Sequence, residues 1–456
     1  MTKKSVAIIG AGITGLTAAF ALAGRGTRVT VYEAGPRAGG VIRSIRKDGF
    51  LAEAGPNTMI ETAPEIPQLI GDLNLKPRRL YSSPLARERF IVRDERPLRV
   101  PSSAFGLVTS KLLSAGAKAA LLRERFVRRK KDDKDESLTE FVSRRLNTEF
   151  AERFADPLVA GIFAGDPRTL SVRHAFPRLA QMEKKYGSIV KGQFAALREC
   201  KKNGQMPRNR APSFSFDEGL QVLPDTLAAR LGNAVRLDAP VTRLVRNGET
   251  WRVATADDEA EYAAVIYCGT AYQLAQMQVT AQEAMDLSLF SEVRYAAVAS
   301  VALGFRRADV AHHCNGFGML IPGIEGFKIL GTIFSSALFP DRAPGGFVLL
   351  TSYIGGERRP ELAGLKPGEL VQLTCDDLKV LLGVKGNPVF EHTALYAKAI
   401  PQYNVGFGRF KDRLDEIESK APGLFFAGHF RDGVALGDLI VAGRNIADRV
   451  SRGLLN

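Results

Sequence analysis

Residues 5–15 read Ser5-Val6-Ala7-Ile8-Ile9-Gly10-Ala11-Gly12-Ile13-Thr14-Gly15. A short apolar run ends at Gly10, and an alanine-rich stretch reaching Ala23 follows Gly15. That pattern is a strand, a glycine turn and a helix. A second apolar run, Val29-Thr30-Val31-Tyr32, ends at Glu33 and completes a βαβ unit that closes on an acid. Gly10-Ala11-Gly12-Ile13-Thr14-Gly15 fits GxGxxG. The first glycine permits the tight turn, the second lets backbone approach a diphosphate, and the third lets helix pack closely on strand. Glu33 stands where a carboxylate accepts hydrogen bonds from ribose hydroxyls. The charge-free stretch after Lys3 and Lys4 also has the outline of a secretory signal. Cleavage would destroy the unit just described, so the stretch is read as part of the fold.

Three further segments separate FAD from NAD. Ala34-Gly35-Pro36-Arg37-Ala38-Gly39-Gly40-Val41 carries a second glycine pair that lets backbone close over a flavin diphosphate. Glu53-Ala54-Gly55-Pro56-Asn57-Thr58 is another tight, polar turn. Near the C-terminal end, the strand Leu424-Phe425-Phe426-Ala427-Gly428 runs into Gly433-Val434-Ala435-Leu436-Gly437-Asp438 and then a helix through Ile446. A helix N-terminus there suits the flavin pyrimidine, which gains negative charge on reduction. No second GxGxxG and no CxxC pair follows. Electrons are therefore expected to come from an organic substrate and to leave to oxygen or another acceptor.

The chain has 456 residues, 45% of them hydrophobic and 25% charged, which is ordinary globular composition. Its net charge of +14 is concentrated: between Lys76 and Lys131 stand 16 Lys or Arg against 4 Asp or Glu. One local basic lobe, rather than a basic coat, argues against nucleic acid as a partner. Four scattered cysteines and five histidines without HExxH or Cys–His spacing indicate a reducing compartment and no metal site.

These patterns predict an α/β, multi-lobe chain: a Rossmann-type FAD-binding domain, a sheet-based substrate domain and an inserted helical lobe. The FAD domain is expected from residues 1–85, 216–290 and 406–456. A strand at 86–99 and a sheet at 291–405 form the substrate domain, and residues 100–215 form the helical lobe. In that lobe Phe105, Val108, Leu112, Ala115, Ala119, Leu122 and Phe126 step as one face of a helix, flanked by Lys111, Lys118 and Arg125. Such a face suits either a protein core or an anionic membrane surface.

The chain resembles the protoporphyrinogen/coproporphyrinogen oxidases, FAD-dependent enzymes of haem biosynthesis within the monoamine-oxidase-like group. The resemblance is carried by Glu53–Met59, Pro101-Ser102-Ser103, Asp156–Pro167, Leu170–Arg173, Lys185-Tyr186-Gly187-Ser188, Gly331–Ser336 and Ala399-Ile400-Pro401-Gln402-Tyr403. It extends over essentially the whole chain. It implies a six-electron oxidation of protoporphyrinogen IX to protoporphyrin IX, an oxidoreductase reaction on CH–CH bonds with molecular oxygen as acceptor. The coproporphyrinogen III reaction is the alternative. It further implies that Arg89 pairs with a substrate propionate, that Phe317 and Phe334 face the tetrapyrrole, and that Gly161 and Gly165 bring backbone close to it. Val241 would meet the adenine through its main chain and Tyr396 would lie at the flavin edge. The flavin N5, not a side chain, would accept hydride, and His429 is read as a structural histidine. Two departures from the family pattern stand out. Members often carry Trp at the place of Tyr396 and His at the place of Phe407. The implied setting is cytoplasmic, at the membrane's cytoplasmic face, with other haem-biosynthesis enzymes as partners.

Other readings share the flavin segments. An amine oxidase wants an aromatic cage that Gly428-His429-Phe430-Arg431-Asp432 does not offer from Tyr or Trp. A polyene desaturase needs no propionate-binding arginine. A scaffold binding tetrapyrrole or membrane without turnover would need only the basic lobe.

Overall fold

A computed structural model describes residues 5–101, 106, 109–130, 132–202 and 211–455. Its first layer is a five-stranded parallel sheet in the order Val235–Arg236, β2 (Arg28–Tyr32), β1 (Ser5–Ile9), Ala264–Tyr267, Leu424–Phe426. Every residue of β1 is buried, as a strand covered on both faces requires. Helix α1 (Ile13–Ala23) follows β1 after the glycine turn and packs on the last long helix, Leu436–Leu455. That contact is close because Gly443 faces it: a Cβ there would stand 2.6 Å from the Thr14 carbonyl. The strands of this one sheet come from three distant stretches of chain, so the Rossmann unit closes only when its last strand, Leu424–Phe426, has docked.

A four-stranded sheet, Glu259–Tyr262, Thr250–Ala254, Arg243–Asn247 and Gln278–Thr280, leans against this layer. Its Asn247-Gly248 hairpin has Gly248 at φ +61°.

The second layer is a seven-stranded sheet in the order Phe390–Pro401, Tyr295–Arg306, Phe347–Gly355, Ile329–Ile333, Gly318–Leu320, Arg89–Arg93, Arg96–Arg99. The hairpin near residue 90 joins through a parallel pairing of Arg89 with Gly318. One face carries Val301, Leu303, Val348, Leu350 and Ile354 against the helix Pro367–Leu382. Alternation turns Leu349, Thr351 and Tyr353 to the opposite face, towards the nucleotide-binding domain.

The helical lobe corrects one expectation. The seam from Phe105 to Phe126 is not a single helix; Phe105 and Val108 lie outside the described residues. The chain turns at Leu112 and Leu113, which are buried, and a new helix starts at Ala115 under a Ser114 side-chain cap. Ser110 and Ser114 each accept a backbone N–H locally, which competes with a continuing helix. Ala117 is buried, whereas Leu122 and Phe126 are 65% and 72% exposed. Beneath them the fully buried Glu124 accepts hydrogen bonds from Arg145, the Ser188 hydroxyl and the first amides of the helix Ile189–Lys202. No helix among the described residues is long and apolar enough to cross a membrane.

Candidate functional site: a nucleotide groove meeting a sheet-walled cleft

The groove opens where β1 ends. Gly10, at φ +104°, donates its N–H to the Tyr32 carbonyl, and a Cβ on Gly15 would stand 2.0 Å from the Gly10 carbonyl oxygen. Gly15 therefore admits no side chain. Gly12 differs, since a Cβ there would meet nothing within 4 Å. Gly12 also caps α1 without any side-chain hydrogen bond, so the amides following it (Ile13, Thr14) present the positive helix end to open space.

Glu33 joins two loops of the groove. Its Oε2 accepts from the Ala11 amide at 2.8 Å and its Oε1 from the Gly35 amide at 3.0 Å. Each oxygen keeps a lone pair for a ribose hydroxyl. The Asp238 and Ala239 amides donate to Gly35 and Glu33, which sets half-buried Val241 at the same end. The Ala34–Val41 segment then folds back: the Gly39 amide donates to Ala11, and Gly40 lies over Gly12. Gly55 packs so tightly on Val41 that a Cβ would stand 2.2 Å from the Val41 carbonyl. This brings Gly55, Pro56, Asn57 and Thr58 beside the glycine turn.

At the far end, the Gly428 amide donates to Asp432 at 2.8 Å. The Tyr403 hydroxyl donates to the His429 carbonyl at 2.5 Å and accepts from the Gly433 amide at 2.9 Å. This clamp delivers Val434, Ala435 and Leu436 at the start of the last helix. Tyr396 lies half-buried on the edge strand, within electrostatic reach of Arg37 and Arg43, and burial raises its pKa. His429 stacks edge-on to Tyr295 at 5.6 Å, and burial lowers its pKa to about 4, so it is neutral at pH 7.

The second half of the site is the junction of the large sheet with the helix Asp156–Phe163, the candidate substrate cleft. Arg89 opens the hairpin strand with its guanidinium carbon 4.8 Å from the centre of the Phe317 ring. It is accessible to solvent, yet desolvation by the surrounding protein lowers its pKa, and no carboxylate among the described residues pairs with it. Gly161 is exposed and sits against Leu320, 2.7 Å from a built Cβ, and its helix neighbours Leu158 and Ile162 are each 41% exposed. An ion pair of Asp156 with Arg358 at 2.5 Å holds this helix to the sheet.

Two expected substrate contacts are not where the sequence placed them. Phe334 is fully buried, its ring 6.1 Å from Phe90 and 5.6 Å from His312, so it backs the wall and faces no cleft. The strand Ile329–Ile333 ends before it, and that break in alternation turns the ring inward. Gly165 is buried against Gln402 and Leu170, at 2.5 and 2.6 Å from a built Cβ. It closes the turn after the helix instead of lining the cleft. Tyr353, whose hydroxyl bonds to Asn57 and Gly55, went unnoticed: strand alternation alone does not tell which aromatic carries a buried polar bond. Tyr403 stood in the Pro401-Gln402-Tyr403 motif, but the motif said nothing of the clamp it forms.

The groove fits FAD. An uncapped helix end over open space, an acid at the ribose position, tight glycine contacts and a second helix start at the far end are the donors and cradles that a flavin dinucleotide needs. Gly10, Ala11, Gly12, Ile13, Thr14, Gly15, Glu33, Ala34, Gly39, Gly40 and Val41 would hold its nucleotide half.

Residues 13–451 match the family model of the flavin containing amine oxidoreductases. Protoporphyrinogen oxidase 2 of Arabidopsis thaliana is 37% identical over 99% of this chain and 94% of its own length. Coproporphyrinogen III oxidase of Bacillus subtilis is 28% identical over 97% of each. Among solved structures, one from Exiguobacterium sp. assigned as a protoporphyrinogen oxidase superposes with a TM-score of 0.82 at 23% identity over 100% of both chains. Cyclohexylamine oxidase from Brevibacterium oxydans gives 0.67 at 16% identity over 99% of both. These two likenesses speak for the fold.

Proposed function

This chain belongs to the flavin-containing amine oxidoreductases and binds FAD, and we propose that it oxidises protoporphyrinogen IX to protoporphyrin IX in haem biosynthesis. The observation that carries the reading is Arg89: an arginine over the Phe317 ring with no carboxylate partner among the described residues, on the sheet against which the helix carrying exposed Leu158 and Ile162 packs. An amine substrate would be repelled by it and a polyene would leave it unused. A propionate satisfies it, because a guanidinium pairs a carboxylate through two parallel hydrogen bonds.

The bound flavin supplies the hydride acceptor. The protein's own part is placement. Arg89 holds one propionate, Phe317 stacks beneath the guanidinium, and bare Gly161 with Leu158, Ile162 and Leu320 forms an apolar wall for the macrocycle. Removing six hydrogens from the porphyrinogen balances against three molecules of oxygen reduced to hydrogen peroxide.

Protoporphyrinogen is favoured over coproporphyrinogen because two of the hairpin's other cations are engaged: Arg99 pairs with Glu88, while Arg93 bonds the Leu112 carbonyl at 2.6 Å and lies 3.6 Å from Glu149. Arg96 is exposed at the far end of the hairpin, and Arg89 is the one that lies over Phe317. A single arginine at that place suits two propionates better than four. Exposed Leu122 and Phe126 beside Arg123, Arg125, Arg128 and Arg129 support peripheral contact with an anionic membrane on the cytoplasmic side.

The test is porphyrin fluorescence from purified holoprotein given each porphyrinogen in air, against an enzyme-free control. The reading expects protoporphyrin to appear well above autoxidation and faster than coproporphyrin. The reverse order names the alternative substrate, and no excess over the control with FAD bound refutes porphyrinogen oxidation.

A further inference from the structure

The turn Gly55-Pro56-Asn57 is gripped from the sheet by a single phenol. The Tyr353 hydroxyl donates to the Gly55 carbonyl at 3.1 Å and accepts from Asn57 Nδ2 at 2.5 Å. On the other side of the same amide, the Ser335 hydroxyl reaches Asn57 Oδ1 at 3.5 Å and is bonded to Thr351 at 2.9 Å. Thr351 and Tyr353 are alternate residues of one strand, so both point at the turn. Asn57 is 7% exposed, which leaves its amide little water to turn to if a partner is lost.

The hydroxyl also favours one orientation of the amide. It spends its proton on the Gly55 carbonyl and so offers Asn57 only an acceptor, and the Gly55 carbonyl itself accepts from Asn57 Nδ2 at 3.4 Å. The amide nitrogen therefore faces Tyr353 and the amide oxygen faces Ser335. Burial raises the phenol's pKa, which keeps that proton in place at any working pH. The ring packs with Ala160, Val298 and Leu330, on the helix and strands that wall the cleft. One side chain therefore touches the flavin turn, the sheet and the helical lobe. A phenylalanine would supply the same packing, so the hydroxyl serves only the bridge.

We propose that Tyr353 is a positioning residue: its hydroxyl orients the Asn57 amide and sets the flavin-facing turn against the substrate sheet. The turnover part of this inference rests on the porphyrinogen reading; the spectroscopic part rests only on FAD binding.

The experiment compares holoprotein variants Tyr353→Phe, Asn57→Ala and the double variant, with Ser352→Ala as control, whose hydroxyl lies on the other face of the same strand and bonds Thr332. Flavin content, the visible absorption and circular dichroism of the bound flavin, kcat and KM are measured on each. Tyr353→Phe is expected to keep its flavin, shift the visible bands, and lower kcat about tenfold with KM nearly unchanged, the loss associated with one or two neutral hydrogen bonds. The double variant should lose clearly less than the product of the two single losses, because both side chains act on the same turn. Ser352→Ala should leave the flavin bands in place. Multiplicative losses in the double variant, unshifted bands in Tyr353→Phe, or an equal shift in Ser352→Ala would overturn the proposal. If wild type holds FAD but oxidises no porphyrinogen, the substrate reading falls and the band shifts still decide this one.

Discussion

Replacing Arg89 by alanine tests the substrate reading most directly. The guanidinium sits over Phe317 with no carboxylate among the described residues to neutralise it, and its surroundings already desolvate it. A propionate docking there gains charge-assisted hydrogen bonds, worth about 1.5–3 kcal/mol when one partner is charged. At about 1.4 kcal/mol per factor of ten, the loss in kcat/KM should be roughly 10- to 100-fold. The propionate is remote from the carbons that lose hydrogen. The interaction is equal in ground and transition states, so the loss should appear in KM and leave kcat within about threefold. Arg89→Lys should fall between, retaining the charge and losing the paired geometry. Neither variant should lower Tm appreciably, since the folded protein loses no ion pair. The assay is the initial rate of porphyrin fluorescence across substrate concentrations in air. An Arg89→Ala enzyme with wild-type KM, or one whose loss lies wholly in kcat, would refute the reasoning.

Gly12→Ala should fold normally yet bind FAD at least about tenfold more weakly, whereas Gly15→Ala should lose folded protein altogether, because only the second Cβ strikes backbone; the flavin-to-protein absorbance ratio and circular dichroism separate the two. His429 has its folded pKa lowered from 6.5 to about 4, so the unfolded chain binds more protons between those values and stability falls as pH drops through that window. The loss at pH 5 should be about 2 kcal/mol by denaturant unfolding, and His429→Gln should flatten that dependence. Glu124→Ala leaves the fully buried Arg145 with Glu183 at 3.1 Å as its remaining carboxylate beside backbone carbonyls, and should cost about 3 kcal/mol, read as a fall in Tm. Leu122→Asp with Phe126→Asp should abolish sedimentation with vesicles containing anionic lipid while leaving turnover in detergent unchanged; unchanged sedimentation would remove the membrane proposal.

Much of the nucleotide half was legible because each signal there is local. Gly10, Gly12, Gly15 and Glu33 act through backbone geometry within one βαβ unit, and spacing along the chain stands in for spacing in space. The family resemblance pointed further, to Arg89 and Gly161, which are exposed, and to Phe334 and Gly165, which are buried. A motif preserves a residue without saying whether its side chain lines the cleft or supports the wall from behind. The helical seam failed for a related reason: apolar residues at steps of three and four fit a helix, but Ser110 and Ser114 supply local hydrogen bonds that break it.

The sequence by itself determined that this chain builds a flavin-binding βαβ unit, that its sheet closes through its last strand, and that one stretch is basic. Those properties follow from periodicity, glycine positions and charge, which neighbouring residues express together. Only the tertiary structure decided that Tyr353 bridges Gly55 and Asn57, that Tyr403 clamps the loop before the last helix, and that Arg89 lies over Phe317 with no acidic partner among the described residues. Each of these is a bond, or a missing one, between side chains and residues on different lobes. No pattern along one segment records which distant group will arrive to satisfy a buried hydroxyl or leave a cation unpaired.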